Sequence, residues 1–199
     1  MSTIKLPKID LSKVKPAFAN YISSQRNGRF SQPTLFRGIL FRSRLEAKWA
    51  IFFNLIGYSW EYEPDVCYYY TPDFLIRSPW YKPAYVEIKP TKYVPPSQLK
   101  RIKRLSEEYS DCNCFVIMGS PFSYTAIEVS SSLDSAWLIC PQCNTISLRP
   151  DLPNSCYFCQ TRSHRFRVYL NSSPSNHSSL YGLLLDNLKV AIKNEIKPF

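Results

Sequence analysis

Apolar residues recur at helical spacing along FRSRLEAKWAIFFNLIG (41–57), where Leu45, Trp49, Phe52, Phe53 and Ile56 fall on one arc. The pattern predicts a first helix ended by Gly57. Arg44, Lys48 and Asn54 face away from that arc, but Glu46 lies inside it. Beyond Gly57 the period shortens to two. SWEYEP (59–64) reads as a short strand stopped by Pro64, and VCYYYTPDFLI (66–76) as a second strand rich in aromatic residues. After the turn SPWYKP (78–83), AYVEIKP (84–90) reads as a third strand ended by Pro90. Pro95 and Pro96 introduce a helix from Ser97 to Tyr109, with Leu99, Ile102, Leu105 and Tyr109 inward and Lys100, Arg101, Lys103 and Arg104 outward. CFVIMG (114–119) is wholly apolar, as befits a strand buried in mid-sheet, and YTAIEV (124–129) is a fifth strand candidate. Helix, three strands, helix and strand predict an α/β fold with a mixed β-sheet flanked by helices.

Outside that core (37–135) the texture changes. Residues 1–36 form a basic N-terminal arm with turn-like NGRF and SQP, carrying Arg26 and Arg29 and running up to Arg37. Such an arm is either solvated along the domain or in contact with a polyanion. Paired cysteines mark 136–170 as a small module, and 171–199 holds a linker, NSSPSNHSS (171–179), and a C-terminal amphipathic helix. Leu180, Leu184, Leu188, Ala191 and Ile192 share one side of that helix, which packs on its own domain or serves as a homodimer or partner-protein contact.

Charge narrows the partners. A formal net charge of +10 over 199 residues favours a polyanion such as DNA, because each neutralised phosphate releases counterions. No apolar run reaches signal-peptide or membrane-span length and no strongly basic amphipathic helix rich in Trp or Phe appears, which predicts a cytoplasmic protein without a membrane role. Seven cysteines, an odd number, point in a reducing compartment to metal ligands and free thiols.

Three residues carry candidate chemistry. Glu87 and Lys89 alternate around Ile88, so both point to one face of their strand while Ile88 points to the core. If the preceding strand pairs with this one as a hairpin, Asp73 converges on the same point. Asp73, Glu87 and the Ile88 carbonyl would then offer hard oxygen ligands to Mg²⁺ (or Mn²⁺), and Lys89 would orient or deprotonate the attacking water. Glu46 has two readings. A carboxylate on a buried helix face needs a cation, a metal or a donor, yet Ser43 with Glu46 three residues on is also a capping box. Glu61 and Glu63 read as salt-bridge partners of the many basic residues.

A second signal is separate. Cys140-Pro-Gln-Cys143 and Cys156-Tyr-Phe-Cys159 have zinc-ribbon spacing, two knuckles completing a closed tetrahedral site for structural Zn²⁺. Arg162, Arg165 and Arg167 follow at once, either as phosphate contacts or as a solvated strand face. Cys67, Cys112 and Cys114 lie in apolar stretches and read as inert core residues.

TPDFLI followed by YVEIKP resembles the PD-(D/E)xK nuclease superfamily, with Pro72-Asp73 and Glu87-Ile88-Lys89 as the two halves of its motif. The upstream helix resembles the segment that precedes this motif in many phage and bacterial members, where a helix glutamate, here Glu46, joins the site. The resemblance covers residues 37–130. It implies a restriction-endonuclease-like α-β-β-β-α-β core and a Mg²⁺-dependent DNA endonuclease leaving 5′-phosphate and 3′-hydroxyl ends. Asp73, Glu87, Lys89 and Glu46 would be its catalytic residues. RecB-like members carry Gln-x-x-x-Tyr on the helix after the lysine; here Gln98 is followed by Ile102. Endonuclease subunits of transposons share a very similar pattern, so a transposon-type role is an alternative, as is a catalytically silent DNA-binding adaptor. DNA contacts are expected from Lys100, Arg101, Lys103, Arg104, Arg162, Arg165 and Arg167.

Overall fold

The computed structural model describes residues 32–78, 81–140, 142–149, 156, 158–160, 167–168 and 179–198. Its first element is a hairpin. β1 (Thr34–Phe36) and β2 (Ile39–Phe41) pair so that Phe36 faces Ile39, leaving Arg37 and Gly38 as a two-residue loop. Both loop residues have positive φ, 49° and 79°, the signature of a primed turn whose twist suits a hairpin. The arm expected to run to residue 36 therefore gives way to a strand at Thr34. Its residues up to 31, Arg26 and Arg29 among them, lie outside the described residues.

Helix α1 (Arg44–Leu55) begins later than the periodicity suggested, because Phe41 belongs to β2 and Ser43 is the N-cap. The Ser43 hydroxyl accepts from the Glu46 backbone N–H at 3.1 Å. Gly57, with φ of +79°, follows the helix end, as expected.

The main sheet runs β10-β8-β7-β6-β5-β4-β3, with β9 paired to β8. Its strands are β3 (Ser59–Tyr62), β4 (Phe74–Ser78), β5 (Tyr81–Lys89), β6 (Asn113–Ser120), β7 (Ser123–Glu128), β8 (Leu133–Ile139), β9 (Ile146–Arg149) and β10 (Arg167–Val168). β5 and β6 are parallel and the other pairings antiparallel, so the sheet is mixed. A parallel pair needs a crossover, and α2 (Pro96–Glu108) supplies it. The segment 66–72 is not the strand its aromatics suggested: it holds one isolated bridge, Cys67 to Tyr70, and Tyr68 is 94% exposed.

Alternation along β5 and β6 splits the core in two. Val86, Ile88, Phe115 and Ile117 pack with Trp49, Phe52 and Phe53 of α1 and with Leu188 and Ile192 of α3 (Ser179–Glu195). Tyr85, Cys114, Val116 and Met118 pack with Ile102 and Leu105 of α2. The fold is thus α/β, a mixed sheet flanked by helices. α3 covers its own domain, with Leu184, Leu185 and Ala191 also against the core. β11 (Lys197–Pro198) pairs with β1 to complete a small second sheet.

Three expectations are corrected. Leu99, placed on the inner stripe of α2, is 45% exposed, because the helix turns only Ile102 and Leu105 fully inward. Cys67 and Cys112 are half-buried, and of the three thiols read as core only Cys114 is buried. The boundary at 135/136 falls inside β8, whose first half pairs with β7 and whose second half pairs with β9. Trp137 and Leu148, both within 136–170, belong to the main core. Linker residues 171–178 lie outside the described residues. Among the described residues, no helix is long and apolar enough to cross a membrane.

Candidate functional site

The antiparallel β4–β5 pairing ends at Phe74 opposite Val86. One step further, the Asp73 side chain takes over from the backbone: its Oδ2 accepts from the Ile88 N–H at 2.7 Å. A strand residue directs its N–H and C=O to the same edge, so the Ile88 carbonyl opens toward Asp73 as well. Glu87 and Lys89 share a face, and Ile88 faces the core at 5% exposure. The Lys89 ammonium lies 2.5 Å from Glu87 Oε1. These groups line a cleft of about 460 Å³ at the carboxyl end of β5, together with Glu46, Arg42, Pro90 and Gln98. Asp73, Glu87 and Glu46 are all buried, at 3%, 4% and 8% exposure, so water does little to compensate their charges.

The compensation is internal. Glu87 accepts from the Tyr70 hydroxyl, from Gln98 Nε2 at 2.5 Å and from Lys89. Asp73 Oδ1 is 2.5 Å from Arg42 Nη2, and Arg42 Nε is 2.9 Å from Glu63. Glu46 accepts from the Tyr62 hydroxyl at 2.6 Å and from the Ser43 hydroxyl at 2.8 Å. Its carboxylate therefore meets the Ser43 side chain instead of reaching back to the backbone as a capping box would, and the cap itself uses the Glu46 main chain. Cap and cleft coexist at this residue.

Burial, then the charges of Glu87 and Glu46, push the Asp73 carboxyl well above the usual carboxylate range, against Arg42 and the Ile88 amide. Burial likewise raises Glu46, opposed by Arg42, Tyr62 and Ser43. Against the cost of its own burial, Asp73 first and then Tyr62, Glu46 and Glu63 hold the Arg42 guanidinium more firmly charged. Burial and the neighbouring carboxylates raise Tyr62 and Tyr70, so both phenols keep their protons and donate. Asp73, Glu87 and Glu46 thus line one cleft, with the charges of Glu87 and Glu46 both acting on Asp73.

Sequence patterns alone do not select Arg42, Tyr62 or Tyr70. Arg42 stands directly before the cap residue, and Tyr62 lies in an alternating strand, signals too common to choose them. Gln98, which lacks the tyrosine expected four residues on, is nonetheless bonded to Glu87. Glu61 and Glu63 do pair with basic residues, Arg77 at 3.5 Å and Arg42 at 2.9 Å.

Cys140, Cys143, Cys156 and Cys159 bring their sulfurs within 4.8 Å of one another, a close-set group able to hold a metal ion. On α2, Lys100, Arg101 and Lys103 are exposed. Arg104 is engaged: its guanidinium lies 4.2 Å over the Tyr69 ring, and its Nε is 2.9 Å from Glu108. Arg167 lies in β10, and Arg162 and Arg165 lie outside the described residues. Compared with protein-family models, with curated proteins and with solved structures, the chain matches none, and the reading of the cleft rests on its own residues.

Proposed function

We propose that the cleft hydrolyses DNA phosphodiester bonds as a metal-dependent endonuclease with a PD-(D/E)xK-type site, leaving 5′-phosphate and 3′-hydroxyl ends. One observation carries the reading: buried Asp73, just before β4, and Glu87 of the adjacent β5 line one open cleft beside Lys89, and the charge of Glu87 acts against that of Asp73. A bound cation would relieve that opposition.

Asp73, Glu87 and the Ile88 carbonyl are the residues that would hold Mg²⁺ or Mn²⁺, with Glu46 behind Asp73; the ion would supply Lewis acidity and a more acidic bound water. Their fit is chemical: oxygen donors only, an Asp73 carboxyl raised by burial and by the charges of Glu87 and Glu46, and a carbonyl opening to the same side. Lys89, half out of the core at 18% exposure, stands at Glu87, where its ammonium can orient the attacking water and steady charge on the phosphoryl oxygens. Tyr70 and Gln98 fix the Glu87 carboxylate from the other side.

The four cysteines suit structural Zn²⁺. Zn–S bonds of about 2.3 Å set the edge of a tetrahedron at about 3.8 Å. The Cys140–Cys159 and Cys143–Cys156 sulfur separations are 3.7 and 3.6 Å. A closed four-thiolate site leaves no position for substrate, so its contribution is to the fold.

A silent DNA-binding adaptor is the second reading, favoured by the Arg42–Asp73 and Lys89–Glu87 ion pairs, which satisfy the acids without a metal. Cleavage of a panel of end-labelled duplex, junction and single-stranded DNAs in Mg²⁺ decides between them. The wild type is expected to cut, and Asp73→Ala and Lys89→Ala to bind without cutting. No cutting of any substrate by the wild type leaves the adaptor reading; cutting by either variant at the wild-type rate refutes the site.

A further inference from the structure

We infer that Arg42 is the resident counter-cation of the cleft, displaced from Asp73 when a divalent ion binds and turned by that displacement onto a phosphate of the nucleic acid. The inference rests on the nuclease reading above. Arg42 lies between β2 and α1, apart from β5, which carries Glu87 and Lys89, and from the residue before β4, Asp73. Its Nη2 is 2.5 Å from Asp73 Oδ1 and its Nε 2.9 Å from Glu63 Oε1. Its backbone N–H donates to the Tyr62 hydroxyl at 3.0 Å, and that hydroxyl donates to Glu46 at 2.6 Å. One residue thus binds two carboxylates by its side chain and reaches a third through its main chain.

Both Asp73 oxygens are taken, Oδ2 by the Ile88 amide and Oδ1 by Arg42. The amide belongs to β5 and cannot withdraw without breaking the strand. The guanidinium can withdraw: its side chain is 35% exposed and its outer anchor, Glu63, lies at 20%. A divalent ion sharing Asp73 with it would meet one like charge at about 5 Å, a repulsion worth more than tenfold in affinity even at the dielectric of water. Released from Asp73, the planar fork suits a phosphate, which it can bind through two parallel hydrogen bonds.

The test uses the full chain with its cysteine cluster loaded. Calcium alone is titrated calorimetrically into the wild type, Arg42→Gln and Arg42→Lys. Arg42→Gln is expected to bind Ca²⁺ at least about tenfold more tightly than the wild type, and Arg42→Lys, which keeps the charge, within about threefold of it. In Ca²⁺, Arg42→Gln should then bind duplex DNA about tenfold more weakly, the effect of removing one charged hydrogen bond to phosphate. Should Arg42→Gln not fold, the guanidinium N–H signals of Arg42 in the wild type, followed by nuclear magnetic resonance, must shift on adding Ca²⁺. Signals that stay in place overturn the inference. So does an Arg42→Gln affinity for Ca²⁺ equal to or below that of the wild type while the wild type cleaves DNA. DNA affinity unchanged in Arg42→Gln removes the phosphate role. Absence of Ca²⁺ binding by all three proteins overturns the nuclease reading together with the inference.

Discussion

Glu46→Gln distinguishes a working acid from a structural one. The substitution leaves the helix cap whole, because Ser43 accepts from the Glu46 main chain. It exchanges a charged acceptor for a neutral one in the bonds from Tyr62 and Ser43, at 2.6 and 2.8 Å. Each exchange costs about 1 kcal/mol, the difference between hydrogen bonds to charged and to neutral groups. Against this, the variant no longer buries an ion whose charged form burial disfavours. The net change should not exceed about 2 kcal/mol, or about 4–8 °C in Tm for a chain of this size.

The pH dependence fixes the sign. With its folded pKa raised above 4.5, Glu46 binds its proton more tightly in the native state than in the unfolded chain. Its cost to stability is therefore absent below the unfolded value and grows as pH climbs through the raised folded value. Glu46→Gln should look worst relative to the wild type near pH 4 and improve toward neutrality. Cleavage should fall about 10- to 100-fold, the usual cost of removing a group that supports a metal site. Thermal melts from pH 4 to 8, paired with single-turnover cleavage in Mg²⁺, measure both. Activity within twofold of the wild type would refute a role for Glu46 in the site, and a stability difference flat across pH would refute its raised pKa.

Stripping metal from the cysteine cluster with a chelator should lower the melting temperature of the whole chain in one transition, because Trp137, three residues before Cys140, meets Phe52 at 5.3 Å and Tyr58 at 5.6 Å edge to face; a separate early transition with an unaltered core would contradict this. Replacing Lys100, Arg101 and Lys103 together by Ala should flatten the log–log salt dependence of DNA binding by about 0.9 for each phosphate that is no longer neutralised, whereas Arg104→Ala should change it least, as binding at several salt concentrations in Ca²⁺ will register. Leu188→Ala, at a fully buried position, should cost about 2–5 kcal/mol in denaturant unfolding, and a smaller effect would mean that α3 packs loosely.

Local patterns announced the elements whose burial follows their own period. Glu87, Ile88 and Lys89 alternate in polarity with a strand's period of two, and α1 shows its apolar arc openly. The placement of Glu46 inside that arc was readable, but not what would meet it there, since Tyr62 comes from a different strand. Arg42 illustrates the limit best: it meets an acid 31 residues away, and no local rule pairs the two. The β1–β2 hairpin was legible in principle from Gly38 in a two-residue loop, yet three-residue strands are too short to set up an alternation. β8 misled for the opposite reason. Its cysteine-bearing continuation looks like the start of a new module, while its apolar run Ala136–Ile139 is finishing the old one.

The carboxylate that extends the β4–β5 ladder binds the fate of the site to that of the core. Asp73 occupies the rung after Phe74, and Phe74, Ile76, Val86 and Ile88 are all buried. A slip of β4 by one residue would turn its apolar side chains to the wrong face and carry Asp73 away from Glu87 in the same step. Sequence drift on these strands is thereby constrained twice, and a substitution that preserves the packing register preserves the spacing of the acids.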